Sequence, residues 1–108
     1  MIRLMYFSTS TTDMSQSEVD ALVQKSAENN LKHGISGVLA YNGRNFCQVL
    51  EGEADQVNKL VAVIREDNRH AGFKILGEIP IESRRFAEWA MTRVDELDFS
   101  DVMDAMQP

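Results

Sequence analysis

Hydrophobic and polar positions along the first eight residues sort into two faces of an extended chain. Ile2, Leu4, Tyr6 and Ser8 share one face, and Arg3, Met5 and Phe7 share the other. Both faces are largely apolar, which predicts a central strand over residues 1–8. Residues 9–14 are a loop of Thr, Ser and Asp. Ser15 and Glu18 have the spacing of a capping box, so a helix is expected over 16–33. Val19, Leu22, Val23, Ser26, Ala27 and Asn30 recur along it at helical spacing, apolar at first and polar in the last two turns. Gly34 fits the stop of that helix. Residues 35–41 and 45–52 read as two strands joined by the hairpin signal Asn42-Gly43. Glu53 and Asp55 lie where a helix dipole favours acids. The stripe Val57, Leu60, Val61 and Ile64 then predicts a second helix to about residue 67. A polar loop over 68–72 precedes a fourth strand over 73–81, with Pro80 close to its end. A fifth strand is expected over 84–94, with Phe86, Trp89 and Met91 as its large residues, and 98–106 could form a short helix.

The resulting order is βαββαββ. A lone hairpin or helix could not bury these stripes. Two helices laid on one face of a mostly antiparallel five-stranded sheet could, in an α+β ferredoxin-like arrangement. Strands one and three are then adjacent and central, which makes Tyr6 and Gln48 neighbours. Gln48 is the discordant residue, because it shares a strand face with Phe46 and Leu50. Buried without partners, its amide would cost about 1–3 kcal/mol. Taken alone, that strand reads more simply with Cys47 and Val49 in the core and Gln48 solvated. Ser26 and Asn30, taken alone, read as a helix end turning toward water. Together, Tyr6, Ser26, Asn30, Gln48 and Trp89 converge on one spot in the predicted core layer, with Arg69 and His70 arriving from the loop after the second helix.

Composition narrows the classes of partner. The 108 residues suffice for one domain with a modest core. A net charge of −6 argues against nucleic acid or an anionic membrane as the main partner. The single Cys47 excludes an intrachain disulfide and a cysteine-based zinc cage, and no metal site is expected. No apolar run approaches the roughly 20 residues that span a bilayer. The N-terminus lacks the layout of a signal peptide, so a cytoplasmic location is expected. A nucleophilic role for Cys47 would need a lowered pKa and a nearby base, and nothing places His33 or His70 beside it.

The joint pattern resembles the BLUF domains, blue-light sensors that use FAD. It comprises Arg3-Leu4-Met5-Tyr6-Phe7-Ser8, Asn29-Asn30, Ile35-Ser36-Gly37-Val38-Leu39 and Phe46-Cys47-Gln48-Val49-Leu50-Glu51-Gly52. It continues through Asp67-Asn68-Arg69-His70 and Arg85-Phe86-Ala87-Glu88-Trp89-Ala90-Met91. The resemblance implies a flavin between the two helices: FAD, or FMN or riboflavin in its place. By position Asn30 would bond the flavin imide edge with Asn29 beside it, and Leu22 and Ile64 would sandwich the ring. Asp67, Arg69 and His70 would line the ribityl and pyrimidine side. Tyr6 and Gln48 would be the photoactive pair, with Ser26, Trp89 and Met91 setting how Gln48 points. Output would run through the fifth strand by way of Trp89 and Met91, to an effector protein or domain. The domain would be a sensor and not an enzyme.

Family modules usually continue into two further helices on the far face of the sheet. Here residues 1–98 are expected to form the sensor and 99–108 the start of such a cap. Without it, the outer-face residues Met5, Phe7, Cys47 and Val49 are expected to be exposed, which favours a homodimer or a strand exchange. Two other functions use the same framework. An acylphosphatase-like hydrolase would want an Arg and an Asn in a phosphate-binding loop after the first strand, and residues 9–14 have neither. A plain interaction module would leave Tyr6 and Gln48 without a special role.

Overall fold

The computed structural model describes residues 1–41 and 43–85 together with the backbone of 92–94. The elements are β1 (Ile2–Ser10), α1 (Gln16–Lys32), β2 (Ser36–Tyr41), β3 (Asn45–Gly52), α2 (Ala54–Arg65), β4 (His70–Pro80) and β5 (Thr92–Val94). The strands lie in the order β4-β1-β3-β2-β5. The first four pair antiparallel, and β5 runs parallel to β2. This is the expected ferredoxin-like α+β sheet, with β1 and β3 adjacent and central.

Local chemistry accounts for the element ends. The Ser15 side chain accepts from the Glu18 backbone N–H, and the Glu18 carboxylate reaches back to the Ser15 N–H, so both halves of the capping box form. Gly34 (φ +67°) and Gly43 (φ +93°) adopt the left-handed backbone that ends α1 and turns the hairpin. Gly37 is needed for a different reason. A Cβ there would stand 2.0 Å from the Val49 carbonyl oxygen, so any larger residue would push β2 off β3.

Two strand boundaries differ from the sequence reading. β4 starts at His70, inside the expected loop, because Ala71 and His70 pair with Thr9 and Ser10 and so extend β1 as well. Gly72 (φ +64°) lies at the irregularity in that pairing. The fifth strand does not begin at Arg84. The Arg84 guanidinium donates to the Gly34 carbonyl, to Ser36 Oγ (3.0 Å) and to the Glu51 carbonyl (3.1 Å), which ties it to the ends of β2 and β3. Phe86, Trp89, Met91 and residues 98–106 lie outside the described residues.

The helices cover one sheet face. Val19 of α1 and Val57 and Val61 of α2 pack on Leu4, Tyr6, Leu39, Phe46 and Leu50 from the strands. The opposite face corrects an expectation. Met5, Cys47 and Val49 are buried in a second apolar cluster with Val38, and Phe7 is half-buried. Beside it the Arg3 guanidinium donates to Glu51 Oε2 at 2.8 Å, and the Arg85 backbone N–H donates to the same oxygen at 2.9 Å. The case for self-association through an exposed patch at these positions therefore loses its premise.

Candidate functional site

β1 and β3 are in register so that Tyr6 faces Gln48 directly across the pair. Both point under the helices and both are 5% exposed, so the solvated reading of Gln48 is overturned. The reason is that both faces of β3 are covered, leaving no solvated side for the amide to take. The Tyr6 hydroxyl donates to Gln48 Oε1. Burial pushes the phenol well above its ordinary acidity range, so it keeps its proton and acts as donor at any physiological pH. Burial likewise raises the Cys47 thiol to about 11, which leaves it a neutral packing group.

The Tyr6 ring is fixed from the β4 side. Phe73 stacks on it with centroids 4.7 Å apart and planes at 26°, and the Arg65 guanidinium lies 5.0 Å from the Phe73 centroid. His70 Nε2 lies 2.5 Å from the Ile64 carbonyl oxygen, and Nδ1 lies 2.7 Å from Ser8 Oγ. A carbonyl only accepts, so Nε2 carries the hydrogen, and in the neutral ring Nδ1 accepts from the Ser8 hydroxyl. His70 thereby staples the end of α2 to β1, two residues along from Tyr6.

Between the helices, above Tyr6 and Gln48, lies a cavity of about 300 Å³. That is the lower end of the range of small-molecule pockets, roughly 300–1,000 Å³. Tyr6, Leu39, Phe46 and Gln48 form its floor. α1 contributes two rows one turn apart. Leu22, Ser26 and Asn30 form the inner row, with Asn30 only 1% exposed, and Lys25 and Asn29 form the exposed rim. α2 faces them with Leu60 and Ile64 inside and Val63, 70% exposed, outside. Asp67, Arg69 and His70 close one end. Arg69 donates to Asp67 from its backbone N (2.9 Å), from Nε (3.0 Å) and from Nη2 (2.5 Å). Those bonds hold the Asp67 carboxyl at about 2, well below its usual range, and raise Arg69 in turn.

The described residues expected from sequence at one spot thus do line one cavity: Tyr6, Leu22, Ser26, Asn29, Asn30, Gln48, Ile64, Asp67, Arg69 and His70. Trp89 and Met91 lie outside the described residues. Sequence reasoning missed Lys25, Leu39, Phe46, Leu60 and Val63 in the lining, and Ser8 and Phe73 behind it. Lys25 carried a legible signal, since it precedes Asn29 by one helical turn. Ser8 and Phe73 did not, because their roles depend on the β1–β4 pairing that includes His70.

Comparison with known proteins agrees with this geometry. The family model "BLUF: Sensors of blue-light using FAD" matches residues 1–92. Photoactivated adenylate cyclase subunit beta of Euglena longa is 34% identical over 94 residues, which is 86% of this chain and 11% of that protein. A bacterial light-regulated adenylyl cyclase structure superposes with a TM-score of 0.82 at 34% identity, covering 99% of this chain and 32% of the other. The dark-state structure of BlrB, described as a BLUF protein, gives a TM-score of 0.83 at 29% identity, covering 96% of this chain and 79% of that one. The family match over residues 1–92 defines a blue-light sensor domain. The chain belongs to the BLUF family of flavin-binding blue-light sensors. It spans about a tenth of the length of the cyclase subunit it matches.

The cavity suits a flavin on its own chemistry. A tricyclic ring needs apolar walls, supplied by Leu22, Leu39, Leu60 and Ile64. Its imide edge needs groups that both donate and accept, and Asn29, Asn30 and Gln48 supply amides that do both.

Proposed function

We propose that this chain holds FAD non-covalently between α1 and α2 and responds to blue light through Tyr6 and Gln48. The observation that carries this reading is the Tyr6–Gln48 hydrogen bond in the floor of a cavity walled by the two helices. When bound, the flavin supplies blue absorption and a strong excited-state oxidant. Leu22 and Ile64 hold the ring from either side. Asn30, buried at the inner end of its row, orients the imide edge, with Asn29 beside it at the rim. With the cavity filled, the helices and Leu39 would exclude water from the phenol.

Tyr6 would lend an electron to the excited flavin and a proton toward Gln48, and both would return to the phenol, so the cycle ends with no net oxidation. The Tyr6 hydroxyl already points at Gln48 Oε1, so the proton has a receiver without any side-chain search. Gln48 leaves that exchange rotated or tautomerised, and its donors and acceptors face the cavity differently. This is a local hydrogen-bond switch that biases a two-state element. Register supports an output route through the fifth strand. Gln48 pairs with Leu39 across β3–β2, and Leu39 pairs with Arg93 across β2–β5. Gln48 and β5 are thus joined laterally by one intervening strand. Trp89 and Met91, on the chain entering β5, are the residues proposed to carry the change to an effector protein or domain.

The test is flavin uptake. Purified protein mixed with FAD and passed through a desalting column should emerge yellow with flavin at about one equivalent. Asn30→Ala should release it more readily. Protein that stays colourless under these conditions would remove the reading.

A further inference from the structure

We propose that Lys25 makes the cavity mouth selective for flavins whose side chain carries a phosphate or pyrophosphate, over riboflavin. The proposal rests on the reading of the cavity as the flavin site.

The rim charges carry the argument. Besides the buried Tyr6 phenol in its floor, four groups able to bear charge line the cavity: Lys25, Asp67, Arg69 and His70. Asp67 and Arg69 neutralise each other, with the Arg69 fork turned onto the carboxylate. His70 is engaged at both ring nitrogens by Ser8 and Ile64. Lys25 remains. It is exposed on the outer row of α1, and among the described residues it has no ion pair, not even with Glu28 one turn along.

A ring seated against Asn30 and Gln48 must send its side chain out through the mouth between the helices, where Lys25 stands on the α1 side and the mutually paired Asp67 and Arg69 beyond the end of α2, because the floor of the cavity is closed by β1, β2 and β3. Riboflavin's tail is neutral there, whereas the tails of FMN and FAD are anionic. The chain as a whole carries a net charge of −6 and repels an anion at long range. A local cation at the exit is therefore what a phosphate needs, and an ammonium on a flexible four-carbon stem can follow it. An exposed pair of this kind is worth a small factor, about two- to fivefold in affinity at low salt.

The experiment titrates flavin-depleted full chain with riboflavin, FMN and FAD, reading quenching of flavin fluorescence at low salt and at about tenfold higher ionic strength. The wild-type protein should bind FMN and FAD about two- to fivefold more tightly than riboflavin, and salt should shrink the gap. Lys25→Gln should bring the ratio to about one, Lys25→Glu should invert it, and Lys25→Arg should keep it. A wild-type ratio of one at low salt, or a preference that survives both Lys25→Gln and Lys25→Glu, would overturn the proposal while leaving the flavin site intact. Failure of all three flavins to bind would overturn the reading of the cavity itself.

Discussion

The two faces of the sheet each bury a polar pair, and the pairs are built for different ends. On the outer face, Arg3 and Glu51 meet at 2.8 Å, and Glu51 also accepts from the Arg85 backbone. Glu51 is 0% exposed and sits beside the closed apolar cluster of Met5, Val38, Cys47 and Val49. On the inner face, Tyr6 and Gln48 meet as neutral groups and border open volume. A buried polar residue is therefore a poor marker of a site by itself. What separates the inner pair from the outer is the cavity, the absence of formal charge and the freedom of an amide to present either end.

Stability should separate the faces most sharply. Glu51→Ala removes the buried carboxylate that accepts from the Arg3 guanidinium and the Arg85 backbone, so it should cost about 3–5 kcal/mol in chemical denaturation. Gln48→Leu leaves a phenol at a cavity water can reach, and should cost about 1–3 kcal/mol. Light response should reverse the ranking. Gln48→Leu and Tyr6→Phe should each abolish the normal absorption shift while the protein still binds flavin. Equal loss of stability in the two pairs, or a normal photoresponse in either inner-face variant, would erase the contrast.

Titration sharpens it further. The Tyr6 phenol has a raised pKa in the folded state, so the folded chain holds a proton that the unfolded chain releases near the ordinary value of 10.0. Its contribution is complete below that pH and is lost as pH rises above it, so alkaline unfolding should begin earlier in wild type than in Tyr6→Phe. The rim carboxylate runs the other way. Asp67 is lowered from 3.8 to about 2, so its contribution is present above 3.8 and fades as pH falls toward 2. Asp67→Asn should flatten that acid limb. The smallest effect is expected at Tyr41, which stacks on Phe46 and whose buried hydroxyl has no partner among the described residues. Tyr41→Phe should be neutral or stabilising by up to about 1 kcal/mol, in contrast to Tyr6→Phe.

Much of this was legible in the sequence, for physical reasons that differ by element. The helices were legible from Ser15, Glu18 and the Val57–Ile64 stripe, because capping and amphipathic spacing are local. The convergence of Tyr6, Ser26, Asn30 and Gln48 followed once the strand order was fixed, since period-two alternation then dictates which residues share a face. The start of β4 was hidden because His70-Ala71-Gly72 is a loop by composition and a strand only by its pairing with Thr9 and Ser10. The Phe73 stack and the Ser8–His70–Ile64 staple depend on that pairing. Burial of Met5, Cys47 and Val49 was missed for a similar reason. Residue pattern alone identified an apolar outer face but could not say that it is closed.

The central claim is that a phenol and a carboxamide beside one bound flavin act as a light switch. The most direct measurement is the absorption spectrum of the flavin-loaded protein before and after blue illumination, followed through recovery in the dark. The account predicts a flavin spectrum that shifts slightly to the red in light and returns in darkness. A flavin spectrum that bleaches irreversibly or does not move at all would contradict it.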